Sequence, residues 1–134
     1  MRCVILLLLL TPALLVGCGK KKAPDSAEGV AQAFAKAVSA GKMADAAALF
    51  DYVEEARRQN DSWDDIASGQ RNLIVGKLKE DKASQLLSVF PGGSKVTVQP
   101  GGTAGVYTVT VNGKPRGALM VRQTQAGWKI VSMQ

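Results

Sequence analysis

Hydrophobic and polar positions along this chain follow two different periods. Between residues 25 and 90 the apolar side chains recur every three or four positions, the spacing of one helix face. Pro24-Asp25-Ser26-Ala27-Glu28 opens the first stretch, with Asp25 as cap and Glu28 placed to complete a capping box. Ala27, Val30, Ala31, Phe34, Ala37 and Val38 form its stripe, and Gly41 ends it. A second helix is predicted from Met43 to a break at Asn60-Asp61-Ser62, with Met43, Ala46, Ala47, Phe50 and Val53 on its apolar side and Asp45, Glu54, Glu55, Arg57 and Arg58 largely on the other. A third is predicted to start from Asp61 or Ser62, with Asp64 and Asp65 in the dipole-favoured first turn. Ile66, Leu73, Ile74 and Leu78 form its buried side, although Gly69 and Gly76 weaken it; a short helical piece over 82–89 follows.

After Pro91-Gly92-Gly93 the period changes to two. Lys95 to Gln99, Gly105 to Asn112, Arg116 to Gln123 and Gly127 to Met133 are rich in Val, Thr and Ile, and turn residues separate them. Asn112-Gly113 is a strong hairpin signal, so the middle strands should pair antiparallel within a four-stranded meander. Tyr107, Val109, Val111, Leu119, Val121, Trp128 and Ile130 fall on one face. The predicted fold class is therefore α+β, with about three N-terminal helices packed on one side of a curved antiparallel sheet.

The extreme N-terminus follows neither period. Residues 1–18 hold one cation, Arg2, then the apolar run from Val4 to Val16, then Gly17-Cys18. This is the grammar of an export signal. At thirteen residues the run is shorter than the roughly 20 that a membrane-spanning helix needs. Leu15-Val16-Gly17-Cys18 resembles the bacterial lipobox, in which the cysteine receives a diacylglyceryl thioether before cleavage. The resemblance implies a signal peptide over 1–17, lipidation of Cys18 with long acyl chains of the palmitate kind, a tether over 18–24 and a domain over 25–134. Cys3 leaves with the signal, so the mature chain has one thiol and no internal disulfide. Two acyl chains hold a protein on a membrane where one does not. Gly19 occupies the place where an Asp would resemble an inner-membrane retention signal. The expected location is the cell envelope, on the periplasmic side of the outer membrane in a Gram-negative host. Lys20, Lys21 and Lys22 read as a hydrophilic spacer that can also attract anionic headgroups.

Charge alters little in this picture. The net charge is +6, but from Ala23 onward thirteen Lys and Arg face eleven Asp and Glu. That balance is no nucleic-acid footprint, and no nucleic-acid partner is expected. The chain has no histidine, so the usual general base and the Ser-His and Cys-His pairs are missing. No cofactor, metal or catalytic residue is predicted. Pro91-Gly92-Gly93 and Pro100-Gly101-Gly102 read as turns, because no Gly-Lys-Ser/Thr follows to make a phosphate loop. The acidic pairs Glu54-Glu55 and Asp64-Asp65 read as solvated helix positions; Asp64 or Asp65 beside Tyr107 is the one arrangement that would suggest acid/base work. Trp128 reads as a core-closing ring, and Trp63 either staples its helix or lies partly exposed for a partner.

Two further segments carry a family likeness. Residues 31–37, Ala-Gln-Ala-Phe-Ala-Lys-Ala, followed by 41–47, Gly-Lys-Met-Ala-Asp-Ala-Ala, resemble the opening helices of small NTF2-like lipoproteins of the DUF4878-type group. Gly127-Trp128-Lys129-Ile130-Val131 resembles the closing strand. The likeness implies a cone-shaped half-barrel whose concavity holds either a ligand or only core, with an Asp inside it in enzymatic members. The expected function is a non-catalytic envelope module that binds another envelope protein or a small apolar molecule. The alternative is a dehydratase- or isomerase-type enzyme using a carboxylate in the cone.

Overall fold

A computed structural model describes residues 22–134. The described residues form an α+β fold, with α1 (Ala27–Ser39), α2 (Met43–Ala47), α3 (Tyr52–Gln59) and α4 (Ser68–Val89) followed by β1 (Val96–Pro100), β2 (Val106–Val111), β3 (Lys114–Thr124) and β4 (Gly127–Met133). The sheet is an open antiparallel meander in the order β1-β2-β3-β4, as the turn spacing predicts.

Local chemistry explains the helix boundaries and corrects several expectations. The cap of α1 is Ser26, whose extended backbone lets its hydroxyl accept from the Gly29 N–H at 3.0 Å. Asp25, the expected cap, instead meets Lys22 at 3.7 Å in solvent. The expected second helix is two helices. Its chain leaves helical geometry at Leu49–Asp51 because Phe50 forms a parallel bridge with Ile130. The Ile130 N–H donates to the Leu49 carbonyl at 2.9 Å, and the Asp51 N–H donates to the Ile130 carbonyl at 3.0 Å. These bonds cover the free edge of β4, a place where exposed strands invite aggregation. Asp51 then caps α3, accepting from the Val53 N–H at 3.0 Å. Val53, expected on the apolar side, is 42 % exposed because the break rotates it outward.

Trp63–Asp65 is a single 3-10 turn, and Ile66 returns to extended backbone before α4 begins at Ser68. The expected third helix and the short piece after it are one 22-residue helix. Gly69 and Gly76 are tolerated inside it with open space where a side chain would stand. Leu73, expected inside, is 75 % exposed; Leu86 is the residue α4 buries completely.

The core lies between α1, α2 and α4 and one face of the sheet. Val96, Val98, Tyr107, Val109, Leu119, Val121 and Ile130 are buried on that face, and Trp128 and Val111 pack at its margin. Asn112 and Gly113 take φ of 51° and 79°, the left-handed pair that a tight hairpin needs. Register slips between Val109 and Thr110 and between Met120 and Val121 mark bulges, which raise local twist and curve the sheet. The edge of β1 is managed by one hydroxyl. Ser39 Oγ, at the end of α1, accepts from the Val96 N–H at 2.9 Å and donates to the Val96 carbonyl at 3.2 Å. Four residues after Val96, Pro100 presents no N–H to that edge.

Candidate interaction surface

The helix-facing side of the sheet is where a ligand or catalytic group would sit in a cone. Here it is filled. Phe34 is fully buried and meets Phe50 and Phe90 edge to face, with ring centroids 6.1 and 6.0 Å apart. Leu86, Leu119 and Ile130 close around them with no exposed area. Among the described residues no Asp or Glu is buried; Ser94 is the buried polar residue, and its hydroxyl donates to the Pro91 carbonyl at 2.6 Å. Tyr52 reaches inward at 3 % exposure and donates its hydroxyl to the Ala47 carbonyl at the end of α2. Burial pushes this phenol well above its ordinary range, and the Glu55 carboxylate adds to the shift. A phenol held in that way ties two helices together and gives no acid or base near neutrality.

The residues singled out for chemistry are dispersed. Tyr107 is buried in the sheet, whereas Asp64 and Asp65 stand in solvent on the 3-10 turn. Asp64 meets Arg57 at 3.6 Å, and Arg57 also binds Glu54 at 3.0 Å. Neither Asp64 nor Asp65 therefore joins Tyr107 in an apolar cone. Trp63 is buried at 3 % exposure, with the Arg71 guanidinium 6.0 Å from its ring centre, so it is a packing residue and not an exposed contact. Trp128 packs against the core. Among the described residues no group of acidic or thiol side chains could hold a metal ion, and no helix is long and apolar enough to cross a membrane. Cys18 and the signal over 1–17 lie outside the described residues.

Two of the hollows among the described residues border the sheet. The larger, about 710 Å³, lies between the start of α3 and the tip of the β3–β4 hairpin, with Val53 and Val131 as its apolar patches and Arg57 and Arg122 among its walls. The smaller, about 210 Å³, lies between the end of α4 and the middle strands; Val89, Phe90, Val109 and Met133 make it apolar.

Among the described residues no layer covers the second face of the sheet. The register pairs Thr97 with Thr110, whose hydroxyls meet, Gln99 with Thr108, Thr108 with Ala118, and Val106 with Met120. These alternate with the buried positions and so point the other way. Arg122 and Lys129 are paired on that face, at the end nearest the larger hollow. Lys129 Nζ donates to the Ala48 carbonyl at 3.1 Å, fastening β4 to the C-terminus of α2. Arg122 is exposed.

Comparison of the chain with protein-family models, curated proteins and solved structures finds no match.

Proposed function

We propose that this chain is a lipid-anchored protein of the bacterial envelope whose domain binds another macromolecule and does not transform a substrate. In this reading the export signal ends at Gly17, Cys18 carries the acyl chains, and the residues up to Pro24 are a tether. The domain is an NTF2-like cone with side chains occupying the concavity. The observation that carries the binding role is the Phe34-Phe50-Phe90 cluster, which fills the position a substrate would need, while no described carboxylate is buried beside it. An enzyme of the isomerase or dehydratase type needs a desolvated, accessible acid there. The surfaces left for recognition are the uncovered sheet face with the larger hollow beside it, and the small apolar hollow at the end of α4.

The anchor is tested by separating membrane and soluble fractions of cells producing the wild type or Cys18→Ser. Wild type belongs in the membrane fraction, and the variant shifts to the soluble fraction once its signal is removed. A processed Cys18→Ser chain retained in membranes at wild-type levels contradicts the proposal. The binding role has a separate counter-test: turnover of a small substrate by the purified domain, abolished by changing one carboxylate, would make the protein an enzyme.

A further inference from the structure

All eleven acidic residues lie between Asp25 and Asp81. From Lys82 to Gln134 the chain contains Lys82, Lys95, Lys114, Arg116, Arg122 and Lys129 and no acid. Over 22–81, by contrast, eight Lys and Arg are outnumbered by those eleven carboxylates. The near balance from Ala23 onward therefore conceals a segregation. The helical layer is net negative, and the charged side chains of the sheet are all Lys or Arg.

The cations are not spread over the uncovered sheet face. Its middle is neutral, with Thr108, Thr110, Val106, Ala118 and Met120 half-buried by their own neighbours. Lys95, one residue before the buried Val96, stands at one margin, and Arg122 stands at another beside Lys129, whose Nζ is held by the Ala48 carbonyl. An uncharged centre with charge confined to the rim is the anatomy of a protein interface. A polyanion or a charged bilayer, in contrast, is held by cations distributed along the contact. The chain also enters the domain at Pro24, ahead of α1, which packs on the opposite, buried face of the sheet. A lipid on the tether thus leaves the uncovered face free for a partner in the aqueous space.

We infer that the uncovered face of β1–β4 docks a folded envelope protein whose contact surface has an uncharged centre bordered by Asp and Glu, which meet Lys95 and Arg122. This deepens the binding role proposed above and rests on it. The rim charges set approach and register, and the neutral centre supplies the closely packed contact. The larger hollow adjoins this face at Arg122 and Val131, giving a partner side chain a place to insert.

The test uses the full-length protein in its own host, with a photoreactive benzophenone side chain at Gln99 on the uncovered face or, as a comparison, at Leu73 on α4. Both positions are exposed. Illumination should give a discrete protein adduct from Gln99, and peptide mapping should place the joined site beside Asp or Glu on the partner. Lys95→Glu with Arg122→Glu should lower the yield by about tenfold, and the matching Gln pair by less. Exchanging the partner's mapped carboxylates for Lys should restore the yield in the Glu variant. The inference is overturned if the Gln99 adduct is absent, joins lipid, nucleic acid or a second copy, or survives both charge reversals undiminished. An adduct from Leu73 alone would overturn this face as the site while leaving a binding role intact. Membrane retention is scored on the same samples, so a failure of the anchor is read separately.

Discussion

Replacing Tyr52 by Phe removes one oxygen and tests how the helical layer is joined. The phenol donates to the Ala47 carbonyl, which also receives the Phe50 N–H at 3.2 Å. The carbonyl is therefore not left bare, and the loss belongs near the ordinary value for one hydrogen bond, about 1 kcal/mol. The pH dependence carries more information. Burial and then Glu55 raise the phenol's pKa in the fold, whereas in the unfolded chain it titrates at about 10. Below that pH both states keep the proton, and the contribution is fully present. Above it the unfolded chain loses the proton while the fold retains it, so stability falls, with a limiting slope of about 1.4 kcal/mol per pH unit. The variant lacks this term. Urea unfolding of the unacylated chain from Gly19 onward, followed by far-ultraviolet circular dichroism between about pH 7 and pH 11.5, should show wild type ahead by about 1 kcal/mol at neutrality. The gap should close above about pH 10 and reverse near pH 11. Titration of the lysines and other common groups cancels in the comparison. A gap that stays constant through pH 11.5 would refute the argument, since the phenol would then ionise equally in both states.

Phe34→Ala empties the centre of the aromatic cluster and should cost about 3–5 kcal/mol, most of the stability of a domain this size, visible as a large fall in the urea midpoint with unchanged slope. Gly117→Ala would set a Cβ 1.9 Å from the Gln134 carbonyl, so β3 and the end of the chain must separate; a loss of about 1–3 kcal/mol and faster amide exchange at Ala118 are expected. Ser39→Ala strips both hydrogen bonds from the Val96 edge and should cost about 1–2 kcal/mol, with amide exchange accelerated first at Val96.

Much of this fold is legible in the chain because its strongest signals are local. The stripe from Val30 to Val38, the change of period after Gly93 and the Asn112-Gly113 turn each need only neighbours in sequence to act. The misreadings arise where a distant residue decides. Residues 43–59 carry an unbroken helical pattern, yet Ile130 draws Phe50 out of the helix. Gly69 and Gly76 weaken α4 locally, but packing on α2 and α3 carries one helix across both. Ser26 and Asp25 are equally good caps by type, and only the backbone at Ser26 decides between them. Trp63 looks peripheral among Asp61, Ser62 and Asp64 but is buried beside Arg71.

The candidate surface is less legible. A net charge averages over the molecule, so the balance from Ala23 onward hides a sheet that contains no carboxylate at all. The signal that reveals it is the position of the last acid, Asp81, rather than the total. The margin of the uncovered face cannot be drawn until the strand register sets Arg122 beside Lys129 and opposite the buried positions.

Cys18 decides where the domain works, because a binding domain without its anchor would be free in the compartment. Mass spectrometry of the N-terminal peptide from protein isolated from its host's membranes is the most direct measurement. The prediction is a mature chain that begins at Cys18 and carries a diacylglyceryl thioether. A chain beginning elsewhere, or one with a free Cys18 thiol, would contradict it.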